Sequence, residues 1–339
     1  MIAVSINRNQ EELFYYCMWA DILILAKNPQ DLAWIKSELG RLFQMKDMNV
    51  VKHFLGMEIQ RDFENQKLEI SQSRYVEKIL RRFGMYDCKP VGTPLDPNVK
   101  WSKINQGETD HPYKELLGCL QYLTLTSRPD ISAAVSTLSK YQSNATDVHW
   151  VGLKRIPRYL RGTVDTKLIY EKRPYTHTVK GYADADFAND PDDRRSVSGY
   201  AFEIFGSLVS WSTKRQQTVS LSTSEAELIA LCTAVAEGLW LVKCLQELDV
   251  VSITLGITFV IMEDNIPCIS IAEEPRSHQR MKHLDIKYMF IRDHIKEGKL
   301  KLQFIRSEDQ PADAFTKGLP KETHRRLLGR LNIRIAGKC

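Results

Sequence analysis

Apolar positions along the chain repeat with different periods in different stretches, and the period predicts the element. Residues 18–25 are nearly unbroken in apolar character and read as a buried strand. Asp31 then opens a helix with Leu32, Ile35, Leu39 and Leu42 on one face. Residues 54–60 and 67–71 are strand-like and joined through the polar turn around Asn65, a hairpin. Tyr75, Val76, Ile79, Leu80 and Phe83 predict a second amphipathic helix, and residues 89–111, rich in proline and glycine, read as a linker.

From 113 to 162 every stripe is helical: Leu116, Leu117, Leu120 and Leu123, then Ile131, Val135 and Leu138, then Trp150, Leu153, Ile156 and Leu160. Pro157 sits inside the third stripe, and an interior proline costs roughly 3 kcal/mol, so a kink or an end is expected there. Beyond Gly162 the texture changes. Strand-like runs at 178–187, 198–205 and 208–212 precede a long helix at 223–248, a strand at 257–262, a helix at 281–296 and a strand at 300–305. Three antiparallel strands followed by alternating helix and strand describe an α/β fold, a mixed sheet with helices on its faces. Arg325, Arg326, Arg330, Arg334 and Lys338 face only Glu322 in the tail, which reads as a solvated basic terminus.

Composition narrows the class. A length of 339 residues exceeds what one core usually serves, so two or three domains are expected. Hydrophobic residues at 43% and charged residues at 26% exclude a disordered, collagen-like or coiled-coil chain. Lys plus Arg number 47 against 42 acidic residues, and the net +5 is compatible with nucleic acid without establishing it. Seven cysteines without a CxxC pair argue for a reducing compartment and against a disulfide or zinc scaffold. No run reads as the ~20 apolar residues of a membrane helix, and residues 1–4 lack signal-peptide order, so a soluble intracellular protein with no membrane partner is expected.

Four acidic clusters stand out in the second half. Asp184 and Asp186 alternate along one strand and share a face. Glu225 and Glu227 lie in the first turns of the long helix, Asp264 ends an apolar strand, and Asp313 follows Pro311 at a helix start. Singly, each has a bland explanation in solvation, helix dipole or capping. Together they can converge, and four unpaired carboxylates would repel unless cations joined them. Two divalent ions roughly 4 Å apart would neutralise the charge and form a two-metal phosphoryl-transfer site. Oxygen ligands without a cysteine or histidine cluster favour Mg²⁺ or Mn²⁺ over Zn²⁺.

The string Gly181-Tyr-Ala-Asp-Ala-Asp-Phe-Ala-Asn-Asp190, with Arg195-Ser-Val-Ser-Gly-Tyr200, resembles the RNase H domain of copia-type LTR retrotransposon Pol polyproteins. So do Val209-Ser-Trp-Ser-Thr-Lys-Arg-Gln216, Leu221-Ser-Thr-Ser-Glu-Ala-Glu227, Lys282-His-Leu-Asp-Ile286 and Glu308-Asp-Gln-Pro-Ala-Asp-Ala-Phe-Thr-Lys317. Upstream, Pro112-Tyr-Lys-Glu-Leu-Leu-Gly118, Ser127-Arg-Pro-Asp-Ile131 and Arg158-Tyr-Leu-Arg-Gly162 resemble the segment between polymerase and nuclease. Phe54-Leu-Gly-Met-Glu-Ile59 and Lys89-Pro-Val-Gly-Thr-Pro94 resemble the end of the reverse transcriptase.

The resemblance implies an RNase H-like mixed five-stranded sheet with flanking helices at 176–320. It implies an α+β palm and thumb remnant at 1–95, a helical connection at 96–175 and a basic tail at 321–339. It implies metal ligands at Asp184, Glu227, Asp264 and Asp313, choosing Glu227 over Glu225 where helical spacing leaves both open, with Asp186 as a helper beside them. The implied partner is an RNA–DNA hybrid whose RNA strand is cut to a 3′-hydroxyl and a 5′-phosphate. Lys214, Arg215 and Gln216 would grip the backbone, contacts that position without reading sequence. His283 belongs to a family motif and reads as a structural, capped histidine.

The polymerase half departs from the family. Its paired aspartates fall at Met18-Trp19-Ala20-Asp21, leaving Asp21 alone, and only Glu11 and Glu12 precede the strand, so no DNA synthesis is expected. The first ~100 residues are expected to be poorly stable alone, because missing palm and finger strands would complete their core. Pro157 and Ile266-Pro267 stand where the family is apolar and polar respectively, the mark of a degenerate copy. The alternative reading is therefore an inactive nucleic-acid-binding relic. The expected location is the cytoplasm, in a virus-like particle for an active element, with the nucleus as the alternative.

Overall fold

The apolar run at 18–25 is not one buried strand. In the computed structural model it is shared between β2 (Glu11–Met18) and β3 (Asp21–Leu25), which with β1 (Ile2–Arg8) form an antiparallel meander placing Val4 opposite Tyr15 and Tyr15 opposite Ile24. Leu25 is 48% exposed, so its apolar character is not spent on a core. α1 (Pro29–Leu42) begins two residues before Asp31: the Asn28 side chain accepts a hydrogen bond from the Asp31 N–H at 2.9 Å, and Pro29 occupies a first-turn position that needs no donor. Its Ile35 is buried, whereas Leu42 is exposed, as are Phe43, Met45, Met48 and Val50 after it. β4 (His53–Phe54) and β5 (Met57–Asp62) meet at Leu55-Gly56, where both residues have positive φ, the hairpin geometry that matches strand twist.

The described residues are 2–8, 11–18, 21–26, 28–103, 107–172, 177–248, 250, 258–273 and 285–335. They fall into two units, Met1–Ile59 and Gln60–Cys339. The second begins inside β5 and continues through β6 (Lys67–Ser71) into α2 (Ser73–Arg82). Val76, Ile79 and Leu80 of α2 share one core with the predicted stripes of α3 (Tyr113–Thr126), α4 (Ser132–Ser139) and α5 (Asp147–Gly162). Of the two outcomes expected at Pro157, a kink or an end, the end does not occur: α5 runs through it. Burying Leu153, Ile156, Tyr159 and Leu160 around it, at about 1.5–3 kcal/mol for each large side chain, outweighs the lost hydrogen bond. The proline-rich 89–111 stretch is strapped to α5, whose Arg158 Nε donates to Lys89 O at 3.0 Å and Arg155 Nε to Thr93 O at 3.2 Å. β7 (Lys167–Glu171) then pairs antiparallel with β6, Leu68 opposite Tyr170.

The nuclease-like sheet follows. β8 (Val179–Asp186), β9 (Val197–Ile204) and β10 (Ser207–Arg215) are antiparallel. α6 (Thr223–Glu247) leads to β11 (Phe259–Glu263), then α7 (Ile266–Glu273), α8 (Asp285–Lys296) and β12 (Leu300–Phe304). The order is β10-β9-β8-β11-β12, with β11 parallel to both neighbours: the mixed five-stranded RNase H-like sheet. By length and composition α6 could cross a membrane, which the reading of the sequence overlooked, yet here Leu228, Leu231 and Val235 are buried with Val179, Phe202, Phe259 and Ile261 of the sheet. Pro267 sits in the first turn of α7, where a missing N–H is tolerated.

The tail keeps Arg326, Arg330 and Arg334 exposed, as expected, but it also has an apolar face that the charge pattern did not announce. After the short turn α9 (Asp313–Thr316), α10 (Lys321–Arg330) and β13 (Ile333–Arg334) bury Leu327, Leu328 and Ile333 in a core with Leu168, Tyr182 and Phe315, and β13 pairs with β7. Two of its arginines are used internally: Arg326 donates to Glu308 O at 2.6 Å and Arg330 to Asp309 Oδ1 at 2.5 Å.

Candidate active site

The site forms where two parallel strands part. β8 and β11 pair from Val260 opposite Lys180 to Met262 opposite Tyr182 and no further. Buried Gln310 takes up the carbonyls left over, donating to Ala183 O at 2.9 Å and Met262 O at 3.3 Å. Asp184, still within β8, and Asp264, just after β11, lie past this point, near the carboxyl ends of the two parallel strands where α/β folds place ligands. Glu227 joins them from α6, and each of the three offers an oxygen within 4.8 Å of the others.

Helical spacing left Glu225 and Glu227 equivalent; the capping geometry separates them. The Leu221 N–H donates to Glu225 Oε2 at 2.8 Å while the Glu225 N–H donates to Ser222 Oγ at 3.2 Å, a reciprocal cap. Glu225 therefore closes the helix start, and Glu227, one residue-pair further on, reaches the carboxylates.

Asp313 lies beside Asp184 but outside the group of three. α9 is pinned by Thr213 Oγ1, which donates to Phe315 O at 2.7 Å, and by Thr316 Oγ1, which donates to Asp184 Oδ2. This approach requires Gly199, opposite Asp184 on β9, because a Cβ there would lie 2.6 Å from Thr316 Cγ2. Lys317 Nζ stands 2.9 Å from Asp313 Oδ1 and 3.5 Å from Asp184 Oδ1.

The crowding is electrostatically costly. Burial, then the charges of Glu263, Asp184 and Asp264, push the Glu227 carboxyl up to about 11. Burial and then Asp184 raise Asp313 to about 7, while burial, opposed by Lys317 and assisted by Asp184, raises Asp186 to about 6. Glu227 Oε2 is buried without a protein partner. An all-carboxylate donor set with an orphaned buried oxygen fits a hard divalent cation.

Residues 8–97 match the family described as reverse transcriptase (RNA-dependent DNA polymerase). The chain is 37% identical over 309 residues to the retrovirus-related Pol polyprotein from transposon TNT 1-94 of Nicotiana tabacum, covering 89% of this chain and 23% of that one. It is 36% identical over 315 residues to the corresponding polyprotein from transposon RE1 of Arabidopsis thaliana, covering 92% and 21%. The chain belongs to the copia-type retrotransposon Pol polyproteins. It spans less than a quarter of the length of these relatives. Among solved structures it is similar to LC11-RNase H1 in complex with RNA/DNA hybrid, at 14% identity and a TM-score of 0.31, covering 44% of this chain and 99% of that one.

The remaining expected residues of this Pol segment are placed as follows. Lys214 is exposed at the end of β10. Arg215 is engaged, with Nε 3.0 Å from Asp190 Oδ2 and an ion pair to Asp193. Gln216 is buried, donating to Ser198 Oγ and Ala226 O at 2.9 Å each. Asp186 accepts a hydrogen bond from Asn189 Nδ2. His283 lies outside the described residues; Asp21 opens β3, and its side chain lies outside them too.

Four residues escaped the sequence reading: Glu263, Gln310, Thr316 and Lys317. Glu263 is fully buried, its Oε1 accepting from the Asn265 N–H at 3.1 Å and its Oε2 without a partner. Strand alternation with Phe259 and Ile261 on the core side was the signal that could have found it.

Proposed function

We propose that this Pol segment is an RNase H-type endonuclease that hydrolyses the RNA strand of RNA–DNA hybrids with two divalent cations, Mg²⁺ by preference and Mn²⁺ as substitute. The observation that carries the reading is the meeting of Asp184, Glu227 and Asp264 within 4.8 Å at the parting of β8 and β11. Those three and Asp313 would hold the ions. When bound, such a pair supplies a hydroxide nucleophile at neutral pH and stabilises the charge of the leaving 3′ oxygen.

The chain's own residues set the geometry. Thr316 fixes the rotamer of Asp184 through Oδ2, and Gln310 fixes the separation of the strand ends that carry Asp184 and Asp264. Exposed Lys214 would meet hybrid phosphates. The polymerase half is proposed to be silent, because Ala20 leaves Asp21 as the lone carboxylate of its strand and a two-metal polymerase needs several.

A labelled RNA–DNA hybrid incubated with the full chain and Mg²⁺ tests this directly. Cleavage to 3′-hydroxyl products that disappears in Asp184→Asn is expected. Absence of products, or cleavage unchanged in that variant, rejects the nuclease; salt-sensitive hybrid binding without products would establish the binding relic instead.

A further inference from the structure

Lys317 occupies a place that nothing in its helix-end position requires. Its backbone N–H closes α9 on Asp313 O at 3.2 Å, which fixes only the Cα. The side chain nonetheless folds back so that Nζ bridges Asp313 and Asp184, at 2.9 and 3.5 Å. Among the described residues no other lysine or arginine makes an ion pair with Asp184, Glu227, Asp264 or Asp313. The side chain is 34% exposed, so the ammonium has a route to water.

We infer that Lys317 is the built-in counter-ion of the Asp184–Asp313 edge and competes with divalent metal for it. The inference rests on the metal-binding reading above and adds an asymmetry to it. Near Glu227 and Asp264 a cation meets carboxylates with no lysine between them; at Asp313 it must first displace an ammonium. A monovalent group on a tether cannot match a divalent ion's attraction for two carboxylates, so the exchange goes to completion only as metal concentration rises. Lys317 thus separates the two metal-binding events, offsetting one of the edge's two negative charges when one ion or none is bound.

The probe is Mn²⁺ titrated into the full chain, with bound and free metal distinguished by paramagnetic resonance. In Lys317→Gln the weaker of the two binding events is expected to tighten by about tenfold, the scale of one charge-assisted hydrogen bond, while the stronger event is unmoved. A second measurement needs no variant. Acylation of Lys317 by an amine-reactive reagent, followed by mass spectrometry, is expected to accelerate when Mn²⁺ saturates the wild-type chain, because the displaced ammonium turns to solvent.

Unchanged or weaker Mn²⁺ binding in Lys317→Gln, or labelling that is unaffected or slowed by metal, overturns the inference. If Mn²⁺ binds but ignores Lys317, the inference fails alone. If Mn²⁺ binds neither chain, the metal-binding reading fails with it.

Discussion

Arg128 donates from Nε and Nη2 to both carboxylate oxygens of Asp130, at 2.9 and 2.7 Å, with side chains 1% and 0% exposed. Around the pair, Arg128 Nη1 donates to Thr163 O at 3.0 Å, Tyr159 OH donates to Asp130 Oδ2 at 2.8 Å, and His324 Nε2 lies 3.1 Å from Asp130 O. One buried ion pair therefore ties the start of α4, the end of α5 and α10 together. Removing one partner strands the other charge in the interior, which typically costs about 3–5 kcal/mol. Arg128→Met is expected to lower the denaturation midpoint by that order. Arg128→Met combined with Asp130→Leu is expected to recover part of the loss, since no unpaired charge remains. A double variant as unstable as the sum of the singles would show that packing, not charge, holds the junction.

The clustered carboxylates should carry the opposite balance. Glu227 is buried with an oxygen lacking a protein partner and is surrounded by other acids. Glu227→Gln is expected to stabilise the metal-free protein by about 1–3 kcal/mol, the scale of relieving a poorly paired buried group. The same change should reduce hybrid cleavage by roughly a hundredfold or more, since a lost metal ligand forfeits several kcal/mol of charge stabilisation. Thermal melts in chelator and cleavage assays in Mg²⁺ check the two halves. A variant that is both less stable and inactive would mean that Glu227 is a structural acid.

Much of the RNase H-like half was legible because its elements obey one period at a time. The three strands at 178–212 alternate and the 223–248 helix is continuous, so their positions follow from residue order alone. Errors arose where tertiary burial outvoted local chemistry. Pro157 stays helical because the side chains flanking it are in the core, and the C-terminal arginines hid Leu327, Leu328 and Ile333. Three of the four acids of the site could be brought together only by topology. Lys317, Thr316 and Gln310 were invisible for a plainer reason: a lysine, a threonine and a glutamine near a turn carry no periodic signal, and their roles exist only once β8 lies beside α9 and the segment before it.

Glycine spacing offers a test of how tightly the site's scaffold is packed. Gly238 on α6 faces the buried ring of Phe259 on β11, and a Cβ there would sit 2.3 Å from Cε2. Helix propensity alone would favour alanine by about 1 kcal/mol, but forcing a methyl group into a closed core costs about 1–3 kcal/mol. Gly238→Ala is expected to destabilise the protein and lower cleavage by shifting α6, which carries Glu227, away from β11. Gly118→Ala on α3, where an added Cβ meets nothing within 4 Å, is expected to stabilise. Equal effects on the two denaturation midpoints would contradict the packing argument.

Acidity provides the remaining test, with a sign that follows from the direction of the shifts. Asp186 is raised from 3.8 to about 6, mainly by burial, and Asp313 from 3.8 to about 7, by burial and then Asp184. Below about pH 4 both folded and unfolded chains hold these protons, and the raised values cost nothing. As pH climbs, the unfolded chain releases them first. The folded state then binds more protons than the unfolded state, and stability falls until about pH 6 for Asp186 and about pH 7 for Asp313. Glu227, raised to about 11, extends the decline further. Metal-free protein is therefore expected to melt at lower temperature at neutral pH than in mild acid. Saturating Mg²⁺ should flatten the profile by replacing protons with metal. Asp186→Asn removes one contributor, on the order of 3 kcal/mol at pH 7, and should raise the neutral-pH midpoint more than the acidic one. Melting temperatures that rise with pH across this window in chelator would show that the carboxylates are not crowded in solution as they are in the fold.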